Sequence, residues 1–428
     1  MTPAATAATA LARGVYATLL RLVMPLYLAR LWWRGRREPL YRHAWGERLG
    51  YTAAGTPTGR LWLHAVSLGE TLAAAALIDA LRAAEPTLRL LLTHSTATGR
   101  EAGARLLRDG DAQAWLPYDT PGAVRRFLRG HRPSIGVLME TETWPVLLHQ
   151  AQAMGLPMVL ANARLSPRSL AKGQTLATLL RPAAASLAAV LAQTESDAMR
   201  LRHSGAITVK VMGSVKFDLT PDAALLAQGR RWREALTRPV VLGAVTREGE
   251  EAMLLAQWRK RAAPRPLLVL VPRHPQRFDE VARHIVVAGF TSRRRSGFGD
   301  TPPADAATVD VWLGDSMHEM ALYYGLADAA LLGGSFAPLG GQNLIEAAAC
   351  GCPLVMGPHT FNFAAAAEDA IAAGAALRVA DMAEGVRRVV RLAHGAERPL
   401  WAQRAAAFAA AHRGAAQRMA AAVLGLRT

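Results

Sequence analysis

The chain has 428 residues, too many for one ordinary core, so two domains are the starting expectation. Its composition, 51% apolar and 19% charged, excludes a disordered chain and fits a globular one. The net charge of +17 rests almost wholly on arginine and selects anionic partners, but no zinc-finger spacing, RNP-like aromatic motif or interleaved basic and aromatic patch supports nucleic acid.

The N-terminus comes first. Residues 1–60 carry nine arginines against Glu38 and Glu47. From Gly14 to Trp33 the chain reads GVYATLLRLVMPLYLARLWW, followed by Arg34, Arg36 and Arg37. Twenty apolar residues could span a bilayer, but Arg21, Pro25 and Arg30 interrupt the run. A helix lying in the interface fits better: its arginines snorkel, and Trp32 and Trp33 suit the headgroup boundary. Bulky Trp and Arg stand where a signal-peptide cleavage site would need small residues. Residues 1–12, rich in alanine, read as an extension without a role.

Beyond this segment, short apolar runs alternate with helical patterns. The first set is 61–66, 88–93, 135–139, 158–161, 189–192 and 208–212; the second is 240–244, 267–271, 309–313, 329–332 and 354–356. Helix-length stretches such as 72–84 and 344–349 lie between them. The alternation occurs twice, broken near 219–239, and predicts two doubly wound parallel-sheet domains facing each other across a cleft. The predicted division is a membrane-associating helix at 1–38, a first domain at 39–222 and a second at 223–428. Cys350 and Cys352 are one residue apart, which strains a disulfide, and read as small buried residues of a reducing compartment.

In open parallel sheets, ligands bind beyond the carboxyl ends of the strands. His64-Ala65-Val66-Ser67-Leu68-Gly69-Glu70 is a strand running into a helix start. Ser67 with Glu70 is a capping-box spacing; the same carboxylate, facing a cleft, could take a proton from an acceptor hydroxyl. Glu140 and Glu142 put two carboxylates at another strand end, more acidity than capping requires. Lys216 is one of four lysines in an arginine-dominated chain, and a compact ammonium there suits a sugar carboxylate or phosphate. In the second half, Pro272-Arg273-His274-Pro275 offers cationic donors. Gly333-Gly334-Ser335 and the tract from Gly340 to Glu346 offer close backbone approach and amide donors for a phosphate, with Glu346 able to accept from ribose hydroxyls. No Walker A sequence is present, no Gly-x-Gly-x-x-Gly follows the first strand, and no His or carboxylate cluster has clear metal spacing.

These motifs, in this order, resemble the Kdo transferase family, which builds the inner core of lipopolysaccharide. The likeness also takes in Tyr41-Arg42 to Trp45-Gly46-Glu47-Arg48, Leu116-Pro117-Tyr118-Asp119, Ala161-Asn162-Ala163-Arg164-Leu165-Ser166, Gly213 to Asp218, and Met356 to Phe363. The resemblance implies a GT-B glycosyltransferase that moves Kdo from CMP-Kdo to a tetraacylated lipid A precursor with inversion. It implies work at the cytoplasmic face of the inner membrane, with an anionic membrane surface as partner and no cofactor or metal. It further implies that Glu70 is the general base and that Glu140 and Lys216 assist the transition state. CMP would be held by Pro272, Arg273, Met317, His318, Glu319, Asn343, Leu344, Ile345 and Glu346, beside Gly334 and Ser335 from the glycine-rich turn. One departure is Val245, where relatives often carry a small polar residue. A GT-B enzyme with a UDP-sugar donor and a non-catalytic anchored scaffold are the competing readings.

Overall fold

The computed structural model describes residues 3–53, 55–218 and 220–427. Every strand lies in one of two seven-stranded, all-parallel sheets. The first holds β1 (Leu61–His64), β2 (Leu90–His94), β3 (Ala112–Trp115), β4 (Ile135–Met139), β5 (Met158–Ala163), β6 (Ala189–Ala192) and β7 (Val209–Val211). Their spatial order is β3-β2-β1-β4-β5-β6-β7. The second holds β8 (Val240–Thr246), β9 (Leu267–Pro272), β10 (Ser292–Arg294), β11 (Val311–Leu313), β12 (Ala329–Leu332), β13 (Leu354–Met356) and β14 (Ala376–Arg378), ordered β10-β11-β9-β8-β12-β13-β14.

All eleven apolar runs are strands. The three that sequence missed, β3, β10 and β14, are edge strands. Edge strands are short and partly solvated, so the continuous apolar run that marks a central parallel strand is absent. Ser292-Arg293-Arg294 is the clearest case, with two exposed arginines.

The strand order reverses between β1 and β4 in the first sheet and between β8 and β12 in the second. At such a switch point the connections leave in opposite directions, and a crevice opens beyond the strand ends. Glu70 follows β1 and Glu140 follows β4; the tract 247–251 follows β8 and the Gly333–Ser335 turn follows β12.

The chain divides into two units, Met1–Asp218 with Arg413–Thr428, and Leu219–His412. The predicted division at 222 lies close to this boundary, but it gave 413–428 to the second domain. The helix Ala415–Leu424 instead packs Ala416, Met419 and Val423 into the apolar core beneath the helix Leu68–Ala84. Asp218 receives the Gly414 and Ala416 N–H groups at the start of that returning helix. Nothing local in an alanine-rich amphipathic segment says which sheet it covers.

The N-terminal helix runs from Pro3 to Arg34, straight through Pro25. Leu11, Leu19, Leu22, Leu26 and Trp33 are exposed along it, and Thr6–Arg34 is long and apolar enough to cross a membrane. Residues 3–12 are therefore not a separate extension. They are the first turns of this helix, and Thr9 is buried beside His149 and Pro145. Cys350 and Cys352 are both buried free thiols.

Candidate active site and its relatives

The strand β1 is entirely buried, and its last residue, His64, bonds through Nδ1 to the Thr93 carbonyl and hydroxyl. Burial and the neighbouring His94 push the His64 pKa down to about 3, so it is a neutral structural residue. Glu70 stands in the first turn of the helix that follows. Its Oε2 accepts the Val66 N–H at 2.8 Å and its Oε1 accepts the Ser67 hydroxyl at 3.3 Å. This is not the predicted capping box. The Ser67 side chain accepts nothing from the helix start and instead donates to the carboxylate. Both bonds thus fix the acid rather than the helix.

Burial raises the Glu70 pKa; the Val66 amide opposes this, and the nearby Glu140 carboxylate adds to it. Glu140 is buried in a left-handed conformation (φ 61°), the kind of backbone strain concentrated at functional sites. Arg164 donates to its Oε2 at 2.8 Å and the Lys216 ammonium lies 3.8 Å from its Oε1. Glu142 is pushed up to about 7, by burial first and by Glu70 second. The first unit thus gathers Glu70, Glu140, Glu142, Arg164 and Lys216 at one set of strand ends. Asn162, fully buried with φ 51°, receives the Val215 N–H at 3.2 Å and so holds the turn that carries Lys216.

In the second unit, Pro272 ends β9 and Arg273 is exposed just beyond it, its N–H donating to the Thr246 carbonyl at 2.9 Å. Burial raises the Glu346 pKa and the Arg273 charge pulls it back. Met317 and His318 are exposed, His318 with φ 65°. Glu319 is paired to Arg295 at 2.8 Å. Asn343 caps the helix Leu344–Ala349 by accepting the Ile345 N–H. Leu344 and Ile345 have buried side chains, so a ligand would meet their main chain. Ser335 is also fully buried: its hydroxyl donates to the Leu332 carbonyl and accepts the Gly357 N–H, which ties two strand-end loops together and leaves no hydroxyl for a ligand.

Sequence reading did not single out Glu250. Its buried carboxylate accepts N–H groups from Arg247 and Gly334 on one oxygen, and from Phe336 and Ala337 on the other. It joins the two loops of the switch point. Gly333 is needed there because a Cβ would stand 2.2 Å from the Val245 carbonyl oxygen. Val245 itself is left-handed (φ 55°), a strained state for a β-branched residue. The only sequence signal for Glu250 was its place in an acidic run after a strand.

A family model described as 3-deoxy-D-manno-octulosonic-acid transferase (kdotransferase) matches residues 43–219. A 3-deoxy-D-manno-octulosonic acid transferase of Bordetella pertussis is 49% identical, across 95% of this chain and 97% of that protein. The chain belongs to the Kdo transferase family. A Haemophilus influenzae member is 34% identical, across 88% of this chain and 90% of its own length. Among solved structures, the Neisseria meningitidis UDP-GlcNAc 2-epimerase superposes with a TM-score of 0.56 at 16% identity, covering 85% of this chain and 99% of that one. The glycotransferase of kitacinnamycin gives 0.54 at 16%, covering 87% and 100%. These two likenesses show the fold, the GT-B class expected from sequence. As a Kdo transferase, the protein carries its acidic cluster within the segment matched by the family model and its glycine-rich loops outside it.

Proposed function

We propose that the protein transfers Kdo from CMP-Kdo to a hydroxyl of a phosphorylated lipid A precursor, lipid IVA, with inversion and with Glu70 as general base. The observation that carries this reading is the Glu70 carboxylate itself, fixed at a switch point by two hydrogen bonds and made more basic than usual by burial. A base must be ionised yet basic enough to share a proton in the transition state. In the proposed step Glu70 takes the proton from the acceptor hydroxyl, whose oxygen attacks the anomeric carbon of Kdo. The bond from that carbon to the CMP phosphate breaks, and CMP leaves with the electron pair. One displacement inverts the centre.

Lys216 and Arg164 balance Glu140 and supply positive charge for the Kdo carboxylate. Arg273 and the amides of the glycine-rich loop would take the CMP phosphate, with Met317, His318, Glu319, Asn343 and Glu346 around the nucleotide. The exposed apolar row of the N-terminal helix and its arginines would hold the protein on the anionic cytoplasmic face of the inner membrane. The test is mass spectrometry of lipid IVA incubated with the protein and a panel of CMP- and UDP-sugars. A mass gain of one or more Kdo residues with CMP-Kdo alone is expected. A gain only with a UDP-sugar, or none with any donor, would overturn the reading.

A further inference from the structure

Beneath the N-terminal helix lies a cavity of about 250 Å³, lined by apolar and aromatic side chains such as Leu20, Met24, Tyr27 and Trp144 together with Arg48, Tyr118 and Asp119. Most of the wall is apolar or aromatic, and Arg48 and Asp119 are its charged groups. Arg48 is only 3% exposed, yet its Nε and Nη2 have no hydrogen-bond partner among the described residues. The guanidinium lies 3.8 Å from the ring centroid of Trp115. The polar side chain that interacts with the guanidinium is the Tyr118 phenol on the same wall, a neutral group rather than a counter-charge.

The acids nearby are committed elsewhere. Glu47 pairs with Arg100 at 2.6 Å and also accepts the Trp115 N–H. Asp119 lines the same cavity but forms no ion pair with Arg48; its two oxygens receive the Val146 and Leu147 N–H groups at 3.1 and 2.7 Å. A buried cation without a counter-charge is strongly unfavourable, so a site that retains one calls for an anion. The apolar lining calls for a hydrocarbon chain attached to that anion.

The cavity also adjoins the candidate active site. Its wall includes Ser95, whose N–H donates to the Val66 carbonyl, and Val66 is the residue whose own N–H holds Glu70. Trp144 follows Glu142 by two residues.

We propose that this cavity binds the anionic, acylated end of the lipid acceptor, with a phosphate on Arg48 and one acyl chain against the N-terminal helix. This assignment rests on the acceptor reading above. It gives the helix a second task, as one wall of the substrate site as well as a membrane contact.

The test uses the full chain and decyl phosphate, below its micelle concentration, in titration calorimetry. Saturable binding is expected, at least about tenfold tighter than inorganic phosphate or decanol. Arg48→Gln removes the cation, and Met24→Trp fills the cavity from a partly exposed helix position without touching the charge. Each is expected to weaken decyl phosphate binding at least about tenfold and to raise the KM for lipid IVA, while the KM for CMP-Kdo stays in place. Absence of saturable binding by the wild type, or binding unchanged in both variants, would overturn the proposal. So would displacement of decyl phosphate by phosphatidylglycerol vesicles but not by lipid IVA, because the occupant would then be bulk membrane lipid. A wild type that transfers Kdo but has no decyl phosphate site refutes this assignment alone. A wild type that binds decyl phosphate but transfers nothing refutes the functional reading instead.

Discussion

Glu250→Gln tests how the second unit holds its glycine-rich loop. The wild-type carboxylate uses both oxygens, one for the Arg247 and Gly334 N–H groups at 2.9 and 2.7 Å, the other for Phe336 and Ala337 at 2.9 and 3.3 Å. Glutamine keeps one oxygen and turns an NH2 toward the other pair of donors. Two amides then lose their acceptor. A buried donor left unpaired costs about 1–3 kcal/mol, so the loop is destabilised by about 2–6 kcal/mol. Even the lower end corresponds to roughly 30-fold more frequent local opening. Amide hydrogen exchange of the 333–337 segment reads this directly, and calorimetry with CMP reads its effect on the proposed nucleotide site. Exchange at least about tenfold faster and weakened CMP binding are expected. Exchange within about twofold of wild type, with CMP affinity unchanged, would refute the claim that Glu250 positions this loop.

Three further outcomes follow from the same geometry. Because the Ser67 hydroxyl supports the ionised form of Glu70 and caps nothing, Ser67→Ala should leave thermal stability within about 0.5 kcal/mol of wild type. It should move the acidic limb of the transfer rate, where activity falls as Glu70 protonates, to higher pH. Glu142 has its pKa raised from 4.5 to about 7, so the folded protein binds its proton more tightly than the unfolded chain. Its contribution to stability therefore declines as pH rises through that window, and Glu142→Gln should gain stability over wild type between pH 5 and 8 in denaturant titrations. Arg277 forms two bonds to the fully buried Glu251, at 2.7 and 3.0 Å. Arg277→Met should cost about 3–5 kcal/mol by stranding that carboxylate, and Arg277→Met with Glu251→Leu should recover much of the loss in chemical denaturation.

The central strands were legible because parallel strands buried on both faces are continuous apolar runs. Three edge strands were not, because partial exposure removes that signal. Strand-end placement brought Glu70, Glu140, Lys216 and Arg273 into view, since topology alone puts those positions beside a crevice. What the sequence could not convey was how each polar group is spent. Ser67 looked like a cap and donates to the Glu70 carboxylate; Ser335 looked like a ligand contact and is an internal tie. Glu250 looked like one acid in a run, yet it holds a loop more than eighty positions away. Such roles depend on partners distant in sequence, as does the return of the last helix to the first sheet.

The most direct measurement compares Glu70→Gln with wild type in lipid IVA product formation by mass spectrometry, alongside CMP-Kdo binding by calorimetry. The substitution keeps the size and removes the charge. Loss of a positioned general base lowers the rate by roughly 10²–10⁴-fold, so Kdo addition should fall by at least about a hundredfold. Donor binding, which the proposed function gives to the second unit, should stay within about twofold. Transfer by Glu70→Gln at a rate near wild type would contradict the account, and equal loss of donor binding would show that Glu70 serves the nucleotide site rather than the acceptor hydroxyl.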